Sequence, residues 1–173
     1  MVDDANHERK PSSNLSGFQN GLNGTAGPSE LFFELTRQLK TRFNITKGVF
    51  LLRTGVDAPL AAISIWDNGQ TRHGLAIKLP SEESLFERVA RQGQVYTDNF
   101  CDSFSGNFFE RKLLLNEASR SFVLHPVKCN GEVIGLLGYS SSEPTAFTMF
   151  EEGAVEDIVA DFAQVVRDRV LSR

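Results

Sequence analysis

The sequence predicts an α+β fold: a central antiparallel β-sheet of five or six strands, with the N- and C-terminal helices on one face and loops or short helices over the other. Three observations predict it. Apolar residues recur at helical spacing near both ends of the chain. Short apolar runs typical of strands lie between these helices and are apolar on both faces, so both sides of the sheet should be covered. Asn130-Gly131 joins two such runs and is a strong signal for a β-hairpin.

The first 28 residues differ in composition from the rest of the chain. They are rich in Asn, Ser and Gly and carry few apolar residues, which is typical of a segment that cannot offset its ordering entropy by burial. We therefore expect a disordered N-terminal arm over residues 1–28 and a single folded domain over residues 29–173. The domain should begin with a helix capped by Ser29, whose apolar residues recur at helical spacing from Phe32 to Phe43.

Three strand-like runs follow this helix. The first two, Lys47–Arg53 and Pro59–Trp66, are short apolar stretches, and the third, Thr71–Leu79, is entered through the turn sequence DNGQ. A middle helix should then be capped by Ser81 and end at Gly93, because the apolar residues between them follow a helical period. The short run QVYT predicts one more strand before the hairpin.

The last predicted element is a long helix that starts at Thr148, where Thr148 and Glu151 have the spacing of a capping box, and ends near Leu171. Its apolar stripe is too wide for one contact surface, so the helix should be buried against two. A two-fold homodimer would supply the second surface, because an isologous contact lets one patch bury itself. The predicted homodimer interface comprises Leu31, Leu35, Val155, Val159, Phe162 and Val166.

Composition argues against several classes of partner. The chain has 173 residues and a net charge of −4, whereas nucleic-acid binding requires a basic surface. No apolar run reaches the ~18 residues typical of a membrane span, and the N-terminus lacks the apolar core of a signal peptide. Cys101 and Cys129 form no CxxC motif and are expected to be free thiols in a reducing compartment. The cytoplasm is therefore the expected location.

The sequence carries no catalytic motif. It contains no GxSxG, no phosphate-binding GxxxxGK[ST] loop and no metal-ligand spacing of His and Cys, so we expect a non-catalytic protein without a metal, and no cofactor is identified. Four side chains are nonetheless candidates for ligand contact, although each also fits an ordinary structural role. Trp66 could cap the core, and His125 could be a core histidine. Arg72 and His73 could meet an anionic ligand or form a solvated strand edge.

The second half of the chain runs from SFVLHPV through the turn NG to VIGLLGYS, PTAFT and the final helix. This order of strand, turn, second strand, Pro-x-x-Phe-Thr step and long helix resembles that of a GAF domain, and the resemblance covers residues 29–171. LPSEESLFERVARQGQVYTDN is similar to the family's middle helix, glycine stop and short following strand. The order and spacing of these pieces carry the resemblance.

The segment NFCDSFSGNFFERKLLL, from Asn99 to Leu115, combines turn-forming residues with far more aromatic area than a surface loop carries. The resemblance implies that this segment lies over the sheet face opposite the terminal helices and closes a ligand pocket walled by its phenylalanines. The alternative is a dry mini-core under a long loop. Its charged stretch Glu110–Lys112 is most simply a solvated face. The phenylalanines concerned are Phe100, Phe104, Phe108 and Phe109.

The resemblance implies a regulatory module that binds a small ligand, pairs with a second copy through its terminal helices and acts on an output domain or signalling partner. An alternative is a ligand-free dimerisation scaffold. A third function is a redox enzyme of the free methionine sulfoxide reductase kind, although those members need more cysteines than this chain has. The sequence patterns of cyclic-nucleotide-binding and bilin-binding members are absent, so the ligand is not identified.

Overall fold

A computed structural model describes most of the chain. The predicted arm over residues 1–28 lies outside the described residues except for its last two positions. Within the described part, no helix combines the length and the apolarity needed to cross a bilayer. The described ranges are residues 27–55, 57–101, 104–151, 153 and 155–171.

The first helix, α1 (Pro28–Phe43), has Gly27 as its N-cap. The predicted cap at Ser29 is wrong because Pro28 occupies the first helical position, where its fixed φ is already helical and its missing N–H is not needed. The Ser29 hydroxyl instead lies 2.6 Å from the Ser64 hydroxyl, and this contact ties the start of the helix to the sheet.

In the described part of the chain, seven strands form one antiparallel sheet. They are β1 (Ile45–Leu52), β2 (Ala61–Asp67), β3 (Gln70–Arg72), β4 (Ile77–Lys78), β5 (Tyr96–Asp98), β6 (Ser121–Cys129) and β7 (Glu132–Ser141). The order across the sheet is β3-β2-β1-β7-β6-β5, and β4 also pairs with β2. The predicted α+β fold with a central antiparallel sheet is confirmed.

Two features of the sheet bear on the predicted strands. The hairpin at Asn130-Gly131 is confirmed, since these residues join β6 to β7. The predicted strand Thr71–Leu79 is two short strands, β3 and β4, because the chain turns between them at Gly74, where φ is +70°. This split accounts for a seventh strand.

Two short helices cover one face of the sheet, α2 (Leu85–Gln92) and α3 (Phe108–Leu114). The N-cap of α2 is Ser84, whose Oγ accepts a hydrogen bond from the Glu87 N–H at 2.9 Å, so the predicted cap at Ser81 is wrong. Helix α2 ends at Gly93 as predicted, where a φ of +69° favours a residue without a side chain.

The predicted long final helix is interrupted. The break falls at Gly153, where φ is +82°. The predicted capping box is wrong, because Thr148 is already helical and its hydroxyl donates to the Thr145 carbonyl oxygen at 2.9 Å. The parts are α4 (Thr148–Glu151), α5 (Glu156–Val166) and a π-helical turn (Arg167–Leu171).

Each face of the sheet has its own core. The terminal-helix core packs α1 and α5 against one face, which confirms that both terminal helices share a face. In this core the Phe50 ring of β1 lies 5.8 Å from that of Phe32 on α1 and 5.0 Å from that of Phe162 on α5, centroid to centroid. The second core packs α2 and α3 against the other face and includes Phe86 and Phe122.

The six residues predicted to form a homodimer interface are core residues of a single chain. Each exposes at most 2% of its surface. The prediction is wrong because the connection from β7 to α5 supplies the second surface within one subunit: its Phe147 and Phe150 rings pack against Phe43 of α1, at centroid distances of 5.9 and 4.9 Å. The residues are Leu31, Leu35, Val155, Val159, Phe162 and Val166.

Candidate functional site

The phenylalanines of the 99–115 segment do not wall off a pocket as predicted. Phe100, Phe108 and Phe109 are 60%, 63% and 57% exposed. Only Phe104 packs inward, with its ring centroid 5.6 Å from that of Phe122 in the second core. The two phenylalanines of α3 point outward because the inward face of that short helix is taken by Glu110 and Leu114, one turn apart. Asp102 and Ser103 of this segment lie outside the described residues.

Glu110 is fully buried, so the prediction of a solvated face is wrong for this residue. Its carboxylate accepts hydrogen bonds from the backbone N–H groups of Leu85 at 2.9 Å and Phe86 at 3.2 Å, which open α2, and from the Ser84 hydroxyl. It also accepts from the Asn107 N–H at 3.2 Å, completing a capping box on its own helix. One carboxylate therefore joins the N-termini of α2 and α3.

A buried lysine holds the other end of α3. Lys47 of β1 donates from Nζ to the carbonyl oxygens of Lys112 at 2.6 Å and Leu115 at 3.5 Å, and lies 3.7 Å from a carboxylate oxygen of Asp67. Burial lowers the pKa of Lys47, and the Asp67 charge opposes this effect. The second face is thus closed by bonds at both ends of α3, over a core of packed apolar side chains.

A groove of about 560 Å3 opens on the opposite face, between β6 and α5. It begins where the short β5 stops pairing with β6, since β5 reaches only to Leu124 and leaves Pro126 beyond it. Pro126 has no N–H to offer a further strand, so this edge of β6 remains open. The apolar part of the lining includes Val95, Pro126, Phe150, Val159 and Ala160.

His125 is the buried polar residue of this groove, with 7% of its surface exposed. Its Nδ1 lies 2.9 Å from the Pro126 carbonyl oxygen, which can only accept, so Nδ1 carries the proton and Nε2 is left as an acceptor. Burial lowers the pKa of His125 and keeps the imidazole neutral, while the nearby Glu156 and Lys128 charges act in opposite directions. The Phe150 ring packs edge-on at a centroid distance of 6.1 Å.

The other predicted ligand contacts lie away from the groove. Trp66 is half-buried beside the terminal-helix core, which agrees with a structural role. Arg72 and His73 are exposed at the end of β3, and the His73 ring packs edge-on to Phe33 of α1 at 6.5 Å. Of the residues predicted to contact a ligand, His125 is brought into this groove, together with charged and aromatic partners that the sequence did not single out.

The two cysteines face different cores. Cys101 packs beside the second core and Cys129 lies in the terminal-helix core, so the sheet separates them. Cys129 Sγ donates to the Gln164 side-chain oxygen at 3.4 Å. Neither cysteine forms a disulfide bond. Among the residues that the structure describes, no group of three or more His, Cys, Asp or Glu side chains could hold a metal ion.

Sequence comparison agrees with this architecture. The family model for the GAF domain matches residues 27–166. The chain belongs to the GAF family. This assignment fits the observed sheet, the paired terminal helices and the cover of short helices and loops. No curated protein matches the chain in sequence.

Solved structures share the fold at low sequence identity. The GAF domain of a Coxiella burnetii phosphoenolpyruvate-protein phosphotransferase has a TM-score of 0.67 at 12% identity, over 91% of this chain and 93% of that one. The GAF domain of a Bacillus halodurans two-component sensor histidine kinase has a TM-score of 0.63 at 18% identity, over 79% and 91%. A Thermoplasma acidophilum type II free methionine-R-sulfoxide reductase has a TM-score of 0.59 at 17% identity, over 82% and 94%.

Proposed function

We propose that this GAF domain is a non-catalytic regulatory module that binds a small ligand in the groove between β6 and α5. One observation carries the proposal. A groove of about 560 Å3 holds a buried, neutral His125 with a free acceptor nitrogen among apolar and aromatic side chains. Ligand sites typically combine a volume of ~300–1,000 Å3 with an apolar lining and a few fixed polar groups.

The groove is a better candidate than the cover formed by the 99–115 segment. Under that segment, packed apolar side chains meet a carboxylate and an ammonium group that are already bonded within the fold. In the groove, by contrast, the polar atom that would orient a ligand is not engaged: His125 Nε2 has no hydrogen bond to a described residue. A ligand can satisfy that nitrogen without breaking existing structure.

Helix α5 is the element that would report ligand binding. Glu156, Val159 and Ala160 of α5 line the groove, so a ligand contacts this helix and the sheet at the same time. A ligand that binds one arrangement of α5 more tightly shifts the population toward it. We propose that an output domain or signalling partner in the cytoplasm responds to this shift.

Catalysis of the free methionine sulfoxide reductase kind is the second candidate, because the Thermoplasma acidophilum neighbour has that activity by name. The cysteines oppose it, since a thiol pair that reduces a sulfoxide must meet to form a disulfide and here the sheet separates the two. We expect no reduction of free methionine-R-sulfoxide when the chain is supplied with a thiol reductant. Turnover above that of a Cys101→Ser, Cys129→Ser double variant would establish the enzyme instead.

The ligand proposal is tested by filling the groove. Ala160 is exposed on α5 and lines the groove, so Ala160→Phe should block it without disturbing the core. Thr41→Phe adds the same ring to an exposed helical position of α1 and serves as the matched control. Native mass spectrometry of the three proteins should show a small molecule bound to wild type and Thr41→Phe and lost from Ala160→Phe. Equal retention by all three would contradict the site.

A further inference from the structure

Two opposite charges stand on opposing walls of the groove. Lys128 of β6 turns toward the C-terminus of α2, where its Nζ lies 3.3 Å from the position that a Cβ atom would take at Gly93. Glu156 of α5 turns toward the α4–α5 break, where its Oε2 lies 3.3 Å from the corresponding position at Gly153. All four residues line the groove.

Both glycines are required by the backbone, and both leave room for a charge. Gly93 and Gly153 have φ values of +69° and +82°, which side chains rarely adopt. A Cβ atom at Gly93 would approach the Lys128 Cε to 3.2 Å. The missing side chains therefore give the Lys128 ammonium group and the Glu156 carboxylate space beside the groove wall.

Neither charge has an oppositely charged partner within the described part of the chain. Lys128 and Glu156 form no salt bridge with any residue that the structure describes. Both charges are close enough to His125 to influence its titration, in opposite directions, so the three groups form one cluster. The cluster presents one cation, one anion and one neutral acceptor around an apolar floor formed by Phe150 and Val159.

We propose that the ligand of this groove is a small zwitterion of the amino-acid class with an apolar side chain. This inference rests on the proposed function and specifies its ligand. The Lys128 ammonium group binds the ligand carboxylate, the Glu156 carboxylate and His125 Nε2 accept from the ligand ammonium group, and the side chain packs against Phe150 and Val159. A ligand with a single charge leaves one wall of the groove unpaired.

The discriminating probes are L-leucine and two analogues that each lack one charge. 4-Methylpentanoate keeps the carboxylate and loses the ammonium group, and 3-methylbutylamine keeps the ammonium group and loses the carboxylate. Since each charge-assisted contact contributes about tenfold in affinity at such a half-open site, both analogues should bind about tenfold or more weakly than L-leucine. Isothermal calorimetry on the full chain measures the three affinities, with L-phenylalanine and L-methionine as further zwitterions.

Two charge-removing variants assign the contacts. Lys128→Gln should weaken the binding of L-leucine and 4-methylpentanoate and leave that of 3-methylbutylamine unchanged. Glu156→Gln should weaken the binding of L-leucine and 3-methylbutylamine and leave that of 4-methylpentanoate unchanged. Both residues are exposed, so the fold should tolerate the changes. Lys78→Gln and Glu117→Gln remove the same charges at exposed positions outside the groove and should change nothing.

The outcomes separate the ligand class from the existence of the site. Equal binding of the zwitterions and their single-charge analogues, or binding insensitive to both variants, would overturn the zwitterion. If no zwitterion binds but a different small molecule does, and that molecule is lost from Ala160→Phe, the zwitterion proposal is overturned and the proposed function stands. No groove-dependent binding of any molecule would overturn both.

Discussion

At the scale of single residues, burial determines the tautomer and protonation state of His125. An exposed imidazole titrates near pH ~6.5 and exchanges its protons freely. In this domain the ring is enclosed between β6, Phe150 and α5, and its Nδ1 proton is committed to the Pro126 carbonyl oxygen. The consequence is a fixed tautomer that leaves Nε2 as an acceptor near neutral pH, on a residue that lines the groove.

Burial of His125 also predicts a pH dependence of stability. Because the pKa of His125 is lowered in the folded state, the unfolded chain binds more protons than the folded chain below pH ~6.5. As the pH falls from there toward the folded pKa, the free energy of unfolding should therefore decrease by at most about 1.4 kcal/mol per pH unit. Glu156 and Lys128 are the charged groups of the groove that also influence the pKa of His125. Urea unfolding at pH 7.5 and 5.5 should show that His125→Asn has lost this component, whereas the control His73→Asn retains it. An unchanged pH slope in His125→Asn would contradict the prediction.

At the scale of elements, the second face depends on a carboxylate that links two helices. The Glu110 carboxylate accepts hydrogen bonds from backbone N–H groups at the start of both α2 and α3 and from the Ser84 hydroxyl. Neither short helix would be stable alone, since isolated helices below ~12 residues are marginal in water. The bonds through Glu110 let the two helices support each other.

Removing this carboxylate should therefore be costly. Glu110→Ala leaves several buried donors unpaired and should lower the free energy of unfolding by about 3 kcal/mol or more. Glu117→Ala removes the same side chain from an exposed position and should change stability by less than about 0.5 kcal/mol. Urea denaturation of both variants measures the difference, and a similar small loss in both would show that the link is not structural.

The elements also show what the sequence could and could not predict. The hairpin at Asn130 and the helix stop at Gly93 were predictable because each depends on a local backbone requirement. The cap at Ser84 was missed although its bond is local, since its Oγ accepts from the Glu87 N–H and Ser84 and Glu87 have the spacing of a capping box; only the support from Glu110 lies far along the chain. Asn107 and Glu110 do have the spacing of a capping box. That spacing predicts a helix start at Asn107, with Glu110 facing inward and Phe108 facing outward.

The groove itself could be predicted only in part. His125 was singled out from the sequence as a histidine within a predicted strand, with a role in the core as the alternative to ligand contact. Its neighbours Phe150, Glu156 and Gly93 come from separate elements, and their meeting depends on how α5 and α2 pack on the sheet. No periodicity in the sequence encodes that packing.

At the scale of the whole molecule, the apolar stripe of α5 over its described residues packs into the core of one subunit. Val159→Asp would place a charge at a site with 2% exposure and should lower the free energy of unfolding by about 3 kcal/mol or more. Ala160→Asp adds the same charge at the neighbouring exposed position and should be tolerated. Light scattering combined with urea unfolding distinguishes the outcomes, and a folded monomer formed from a wild-type dimer on Val159→Asp would contradict burial within one subunit.

We propose that this GAF domain binds its ligand in the groove between β6 and α5. The most direct measurement is a 1H–15N NMR titration with a library of small acids, amines, zwitterions and neutral ring compounds. A binding compound should shift the resonances of the backbone amides of Gly93, His125 and Gly153, and these shifts should disappear in Ala160→Phe. Shifts confined to the 99–115 segment and the second core, with the groove amides unmoved, would contradict this location of the site.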